Sequence, residues 1–488
     1  MANHGQIVTD ASLPQEIIDD IIDEVALATQ ETDQLGELPS TESLKACSLV
    51  SKAFLHRSRM YFLSHIRLVA DTESGEKTAG RLVKLLRHKA NSGLLAHDIR
   101  SLTFVVEVPC LHLPRPRSTI STISRQKVSN LLKALDSSKS SSFEALGMLT
   151  QAHIQDFSLG AQNGFLNWNT HHQNIHPIFL RFCSGQSLTS LRLFNLSYVP
   201  EGILVNAFCA PNLKHLKLHT ISIACVEEED SGQVLTRSRP TVSKLEILEI
   251  SRLSYTAVLQ ALRICLLPSA SLSSYFSYLR VLVVSVPSSL REMDVLWKFM
   301  LGVANGLESL DLQYDIWPGT AITRNGPIRL NQMTALRHLK FSSNAEITPH
   351  ELEPKLMSLT YLLASADSPS GLESIKANLY ISSNLHLRKQ AVHITRSLEI
   401  FSNPGWAAVD VALTGGFFTN LKIVAFDVNL FHYDPSIQRG YAILDDRITI
   451  PSLFRLTRTR ALFTQVQINL NSVFSPHISL SSYLHQFE

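Results

Sequence analysis

One short pattern recurs through most of this 488-residue chain and constrains its fold more than any other feature. The pattern is L-x-x-L-x-L, with other apolar residues at some leucine positions, and successive strong copies begin 25 to 49 residues apart. Alternating apolar positions predict short strands with one buried face, and the intervening residues suffice for returning helices. Strong copies begin at Leu188, Leu213, Leu245, Leu279, Leu307, Leu336, Leu372 and Leu421, and weaker ones at Ile99 and Ile154.

A single copy of this pattern cannot bury its apolar face, so neighbouring copies must stack to complete a core. The pattern resembles an irregular leucine-rich-repeat array, and we expect an α/β solenoid over residues 96–488 with the last residues capping its end. A barrel or doubly wound α/β enzyme also alternates strands with helices. Strands buried on both faces are continuously apolar, however, whereas these copies carry polar residues such as Lys217 and Asp311 between core positions.

The third, fifth and seventh positions of each copy would line the concave face, where solenoids usually bind their partners. Both signs of charge occur at these positions, and we expect them to contact an unknown protein target. The candidate target-binding residues are Arg192, His215, Lys217, His219, Glu249, Asp311, Gln313, His338 and Lys340.

The first sixty residues carry a helical pattern instead. Pro14 suits the first turn of a helix, where its missing N–H costs nothing. From Leu13 to Val25, apolar residues fill about 180° of the helix and acidic residues crowd the other side, so the apolar arc is wider than one packing seam requires. After a loop with Gly36 and Pro39, a second helical pattern runs through Phe54. So small a helical unit should pack against something else.

The segment LPQEIIDDI from Leu13 resembles the opening of an F-box, and Leu44 to Phe54 resembles its second half. The resemblance implies a helical F-box over residues 10–62 and a connecting segment over 63–95. It also implies docking on the Skp-type adaptor of an SCF (Skp, cullin, F-box) ubiquitin ligase, and through it on cullin. The adaptor-binding residues that it implies are Leu13, Pro14, Ile17, Ile18, Ile21, Leu44, Cys47, Val50 and Phe54.

On this resemblance, the chain is expected to be a substrate-recognition subunit that binds the adaptor through its F-box and a protein target through its repeats. It would contribute proximity rather than a catalytic group. Three alternatives remain open at this point. The chain could be a leucine-rich-repeat scaffold acting outside any ligase, its N-terminal helices could simply pack on its own next domain, or it could be an α/β hydrolase or transferase with an unrecognised site.

Composition narrows the class of partner. With 44 basic and 42 acidic residues, the chain has no global field that favours nucleic acid or an anionic membrane. Its six cysteines include no C-x-x-C pair, which suits reduced thiols. No secretory signal and no apolar run long enough to span a membrane are apparent. We therefore expect a cytoplasmic or nuclear protein that binds neither nucleic acid nor membrane.

Motifs for catalysis are sparse. The chain contains no G-x-S-x-G, H-E-x-x-H or G-x-G-x-x-G. SGEKT from Ser74 lacks the glycine cradle of a phosphate-binding loop, and NTHHQNIH, with His171, His172 and His176, is predicted to be a polar loop. We expect no catalytic residue, no cofactor and no metal.

Overall fold

The computed structural model describes residues 14–31, 42–70, 72–88, 99–108, 140–223, 242–251, 255, 258–259, 261–262, 271–287, 289–314, 330–343, 349–365, 370–383, 403–432 and 463–472. The chain divides into two compact units, Met1–Tyr198 and Val199–Glu488. Within the described ranges, no helix has both the length and the apolar character needed to cross a membrane.

The first unit opens with three helices, α1 (Gln15–Glu31), α2 (Glu42–Val50) and α3 (Lys52–Ser64). Helix α1 corresponds to the first helical pattern of the sequence, whereas the second pattern, predicted as one helix through Phe54, is divided at Ser51 between α2 and α3. Helix α1 continues to Glu31, beyond the end of the amphipathic pattern at Val25, so residues 32–41 separate it from α2. Ser51 lies between α2 and α3 in an extended conformation, which ends one helix before the next begins.

Strands and helices alternate through the rest of this unit. They are β1 (His65–Ala70), α4 (Glu73–Arg87), β2 (Ser101–Glu107), α5 (Ser141–Leu149), β3 (Asp156–Gln162), β4 (Leu166–Asn167), α6 (Trp168–Ser184) and β5 (Ser190–Val199). The sheet has the order β1-β2-β3-β5 with parallel pairing throughout, and the short β4 pairs with β5.

The segment expected to connect the two parts, residues 63–95, contains β1 and α4. His65 of β1 pairs with Ser101 of β2, which is the third residue of the copy that begins at Ile99. LSHIRL, from Leu63, is therefore a further copy of the repeat, and the parallel sheet begins at residue 65 rather than after 95.

The second unit repeats the same alternation. Its helices are α7 (Glu201–Phe208), α8 (Leu272–Tyr275), α9 (Leu290–Val303), α10 (Pro349–Ala364) and α11 (Pro404–Thr414), with a 3₁₀ turn at Leu330–Gln332. Its strands are β6 (His215–Ile223), β7 (Ile247–Ser251), β8 (Val281–Ser285), β9 (Ser309–Tyr314), β10 (His338–Ser343), β11 (Ser374–Ser383), β12 (Ile423–His432) and β13 (Phe463–Ser472).

These eight strands lie in chain order, each pairing in parallel with the next. A doubly wound sheet would reverse its strand order at a switch point, and the described strands of neither unit do so. The prediction of an α/β fold is confirmed. The cap expected at the C-terminus lies mostly outside the described residues, which end with β13.

The copies of the repeat stack in register. Third-position residues pair with each other along the sheet, as Val281 does with Ser309, Ser309 with His338, and His338 with Ser374. In all ten predicted copies the first, fourth and sixth positions are buried, at 4% exposure or less. This confirms the predicted burial of these three positions.

Helices cover the face of the sheet that carries the fourth and sixth positions. Phe157 of β3 stacks on Phe182 of α6 with ring centroids 4.2 Å apart, and Phe426 of β12 meets Trp406 of α11 edge-on at 5.4 Å. The third, fifth and seventh positions therefore lie on the opposite face, which is called the strand face below.

Candidate functional site

Helix α1 divides its wide apolar arc into two seams. Ile18, Ile22 and Ala26 recur at intervals of four residues and are buried together with Leu44 of α2. The residues that pack against this core are Val25, Ala53, Phe54, Tyr61 and Phe62. The three helices thus form their own small core, and one seam of α1 is used to build it.

A bidentate ion pair between Arg57 and Asp23 holds α1 against α3. Arg57 donates from Nε to Oδ1 of Asp23 at 2.8 Å and from Nη2 to Oδ2 at 2.7 Å, and the Tyr61 hydroxyl donates to Oδ1 at 2.9 Å. The hydrogen bonds from Arg57 hold the pKa of Asp23 below its usual value, against the opposing effect of burial. Bidentate geometry restricts the rotation of α1, so its second seam is held in one orientation.

The second seam of α1 is exposed. Ile17 and Ile21, one helical turn apart, are 46% and 41% exposed. Gln15 Nε2 donates to the Ala53 carbonyl at 3.4 Å, which places the start of α1 beside the junction of α2 and α3. The exposed apolar side chains at that junction are Leu49, Val50 and Leu55. Ile17, Ile21, Leu49, Val50 and Leu55 are together called the exposed seam.

The structure separates the residues expected to bind an adaptor. Ile18 and Leu44 are buried at 6% and 5% exposure inside the helical core, so neither can contact a partner. Cys47 and Phe54 are half-buried, Phe54 against that core. Exposed members of the predicted set are Pro14, Ile17, Ile21 and Val50, while Leu13 lies outside the described residues.

Sequence reasoning missed Leu49 and Leu55, which are 86% and 44% exposed. The sequence contains a signal for both residues. Leu49 and Leu55 are apolar and lie on either side of the polar pair Ser51-Lys52, but they fall outside the three- and four-residue spacing of Cys47, Val50 and Phe54. An apolar residue outside the packing period of a helix is a candidate for a surface contact.

On the strand face of the second unit, most predicted target-binding residues are paired across strands. Lys217 Nζ lies 2.6 Å from Glu249 Oε1, and Lys340 Nζ lies 2.8 Å from Asp311 Oδ2. His338 Nδ1 lies 2.8 Å from Ser374 Oγ, and His219 Nδ1 forms a hydrogen bond with Ser251. His215 is exposed and Gln313 is half-buried. The face is therefore a set of cross-strand pairs rather than a row of separate charges.

Asp311 differs from the other predicted residues because it is only 8% exposed. Its carboxylate accepts hydrogen bonds from Lys340 and, at 3.3 Å, from the Ser342 hydroxyl. These neighbours cover it, so Asp311 cannot serve as a target contact and belongs instead to the structural core of the face.

A second line of charges runs along the start of the strands and was missed by the sequence reasoning, which considered only the third, fifth and seventh positions. The second residues of seven successive copies alternate in sign, and most adjacent ones are paired at 2.7–2.9 Å. This second-position ladder consists of Lys214, Glu246, Arg280, Glu308, Arg337, Glu373 and Lys422.

A polar groove of ≈ 450 Å³ lies along part of this ladder. Arg280, Glu308, Arg337 and Glu373 line it together with polar turn residues such as Asn305. Because each of these charged groups already has a partner of opposite sign, the groove offers no uncompensated charge to a ligand.

The ion pairs of the second-position ladder should make the stability of the protein depend on pH and salt. Hydrogen bonds from Lys422 and then Arg337 hold the pKa of Glu373 below its usual value. A lowered carboxyl pKa contributes stability that is present above the unfolded-state value of about 4.3 and is lost as pH falls through the lower folded value. We expect Glu373→Gln to lower the urea midpoint at pH 7 and to flatten this acid dependence.

In about 1 M salt, where the Debye length is roughly 3 Å, the urea midpoint of the same variant should differ little from that of wild type. Lys298→Gln is a suitable control because it removes one exposed helical ion pair, with Asp294, away from the ladder. A midpoint for Glu373→Gln that does not respond to salt would contradict an electrostatic role for the ladder.

The motifs considered for catalysis have structural explanations. SGEKT lies in α4, where Lys77 Nζ pairs with Glu73 at 2.6 Å and the Thr72 hydroxyl accepts from the Gly75 amide at 2.9 Å. A Cβ at Gly75 would lie 1.9 Å from the Val69 carbonyl oxygen, so only glycine fits. This glycine serves a close backbone approach rather than a phosphate.

The prediction of a polar loop for NTHHQNIH is wrong, since the segment lies in α6. The Asn167 side chain accepts from the Asn169 amide at 3.0 Å and caps the helix. His171 is buried against Phe143, and burial lowers its pKa. Among the described residues, no group of three or more His, Cys, Asp or Glu side chains could hold a metal ion.

Comparison with known proteins supplies no family. No family model matches the chain, and no curated protein matches it. Among solved structures, the chain is similar to the crystal structure of the Rad7 and Elc1 complex in yeast, with 13% identity and a TM-score of 0.27. That similarity covers 88% of this chain and 97% of the other. The sequence identity and the TM-score are too low to support an argument about this chain.

Proposed function

We propose that this chain is a non-enzymatic substrate receptor of an SCF-type ubiquitin ligase. In this proposal, the three helices are an F-box-like unit that docks on a Skp-type adaptor, and the strand face is part of a leucine-rich-repeat-like array that binds a protein target. The observation that carries the proposal is the exposed seam on the helical unit, because apolar side chains held rigidly at a surface indicate a partner.

The exposed seam is separate from the core that folds the helices. Ile18, Ile22 and Leu44 supply the core, whereas Ile17 and Ile21 are not among its buried residues and are nearly half exposed. The alternative in which the apolar arc is used entirely for packing within the chain accounts for the first seam only. The bidentate contact between Arg57 and Asp23 orders α1 before a partner binds, which lowers the entropic cost of association.

The area that remains exposed sets the scale of the docking energy. Full burial of such a side chain contributes about 1.5–3 kcal/mol, so the exposed fractions of the five side chains sum to about 4–9 kcal/mol. Association costs about 4–15 kcal/mol. Polar contacts must therefore supplement the seam, and Glu24 on the adjacent face of α1 is exposed and able to supply one.

Co-expression with a Skp-type adaptor tests the proposal. We expect wild type to co-purify with the adaptor and Ile17→Ser with Ile21→Ser to bind it about 10- to 100-fold more weakly, because the two exposed halves of these side chains no longer become buried. Titration of purified adaptor, followed by calorimetry, measures the change.

The matched control is Glu16→Ser with Asp20→Ser, two exposed positions on the same helix but off the seam. Unchanged far-UV circular dichroism in both double variants shows that the helical core is intact. The proposal fails if wild type does not bind the adaptor, or if the seam variant binds as tightly as this control.

A further inference from the structure

Two arginines on the strand face of the first unit lack a carboxylate partner among the described residues. Arg67 lies on β1 and Arg192 on β5. On the strand face of the second unit, by contrast, lysines are neutralised by an acidic neighbour, as Lys217, Lys340 and Lys376 are. The positive charge of the first unit's face is thus left uncompensated by the neighbours that the structure describes.

These arginines belong to one row across four strands. Arg67 pairs in register with Thr103, Thr103 with Ser158, and Ser158 with Arg192. At about 4.8 Å between strands, the row is roughly 14 Å long from backbone to backbone. Arg192 is exposed, and Arg67, Thr103 and Ser158 are half-buried. We call these four residues the arginine row.

Both guanidinium groups point from the row toward the carboxyl ends of the strands, because Gln162 lies four residues beyond Ser158 on β3 and Phe194 lies two residues beyond Arg192 on β5. Arg67 donates from Nη2 to Gln162 Oε1 at 2.8 Å, so its side chain crosses β2 to reach β3. The Arg192 guanidinium lies over the Phe194 ring, 5.1 Å from its centroid, and that ring lies against Gly160 of β3. The arginines thus approach the same strand from opposite sides, with the hydroxyls of Thr103 and Ser158 between their backbones.

No carboxylate lies in the row itself. Asp156 and Glu107 are the acidic residues of this face on β2 and β3, and they lie two and four residues along the strands from the row. These offsets correspond to about 7 and 13 Å. Glu107 pairs in register with Gln162, which accepts from Arg67, but among the described residues neither arginine forms an ion pair, so the row presents two fork-shaped donors and two hydroxyl donors.

We propose that the arginine row binds an acidic segment of a protein target through its Asp or Glu side chains. Guanidinium groups match carboxylates with two parallel hydrogen bonds, and hydroxyls can donate to the remaining lone pairs. In an extended segment, side chains two or four residues apart on one face are about 7 or 13 Å apart, which suits two donors within a 14 Å row. This inference rests on the proposed function for the identity of the ligand as a target, but the binding itself needs no adaptor.

Binding of a fluorescent octaglutamate peptide to the full chain, measured by anisotropy in about 50 mM salt, tests the inference. We expect Arg67→Gln and Arg192→Gln each to weaken binding about tenfold, and the double variant to weaken it further, because each removes a charge-assisted bidentate contact. Arg67→Lys with Arg192→Lys keeps the charge but cannot form the bidentate contacts of a guanidinium, so its affinity for octaglutamate should lie between those of wild type and of the double glutamine variant.

The matched control is Arg81→Gln with Arg181→Gln, which removes two exposed arginines from helices of the same unit. Octaglutamine and an otherwise uncharged peptide with one phosphoserine serve as further ligands. The inference is overturned if wild type does not bind octaglutamate, if the row variant binds it as the control does, or if only the phosphopeptide binds. Adaptor co-purification of the same variants separates this result from the docking proposal, since the row lies outside the helices.

Discussion

Replacing Asp311 by lysine is expected to destabilise the second unit by about 3–5 kcal/mol. The Asp311 side chain is 11% exposed and accepts hydrogen bonds from Lys340 and Ser342. The substitution removes this pair and places an ammonium group at this buried position beside Lys340, with no carboxylate to compensate it. Urea denaturation followed by far-UV circular dichroism measures the loss.

Glu249→Lys is the matched control for this substitution. Glu249 occupies the same position of its copy and pairs with Lys217, but its side chain is 22% exposed against 11% for Asp311, while the two lysines are alike at 39% and 40%. Water can solvate these groups when the pair is broken, so the expected cost is roughly 1 kcal/mol or less. Equal losses for the two variants would show that burial does not set the energy of these pairs.

This difference shows what a periodic pattern can predict. The pattern assigns Asp311 and Glu249 to the same position, and both do lie on the strand face. Their burial differs because of neighbours on the next strand: Ser342 and Lys340 close over Asp311. Such cross-strand contacts depend on which copies are adjacent, which the pattern of one copy does not contain.

The core of the fold, in contrast, could be predicted almost completely. In the ten predicted copies, the fourth and sixth positions are buried because a strand alternates its side chains between two faces, and the first position is buried just before the strand begins. The copy at Leu63 was overlooked because it follows α3 directly, and the aromatic pair Tyr61-Phe62 extends the helical pattern up to it. Arg67, the fifth residue of that copy, was missed as a candidate binding residue for the same reason.

The exposed seam could be predicted in part. The width of the apolar arc showed that α1 has two contacts to make, but not which isoleucines make which contact. The packing of α3 determines which isoleucines are buried, because Arg57 and Tyr61 hold Asp23 and so turn Ile18 and Ile22 inward. The choice depends on a contact between residues 34 positions apart, which helix periodicity alone cannot specify.

Gly160→Ala is expected to destabilise the first unit by about 3 kcal/mol, at the upper end for overpacking. A Cβ at this position of β3 would lie 2.2 Å from the Phe194 carbonyl oxygen and 2.6 Å from its ring. The ring could rotate, but the carbonyl belongs to the paired strand β5, so the two strands must separate. Urea denaturation of the full chain, monitored by circular dichroism, measures the loss.

Gly147→Ala in α5 is the matched control in the same unit. Its Cβ would meet only Ile178 Cδ1 at 4.0 Å, and alanine favours a helix over glycine by about 0.5–1 kcal/mol, so this variant should be slightly more stable. Because Phe194 supports Arg192, Gly160→Ala should also weaken octaglutamate binding while leaving adaptor binding unchanged. A stable Gly160→Ala variant with normal peptide binding would show that β3 and β5 tolerate a wider separation and that the position of the Phe194 ring does not matter for the arginine row.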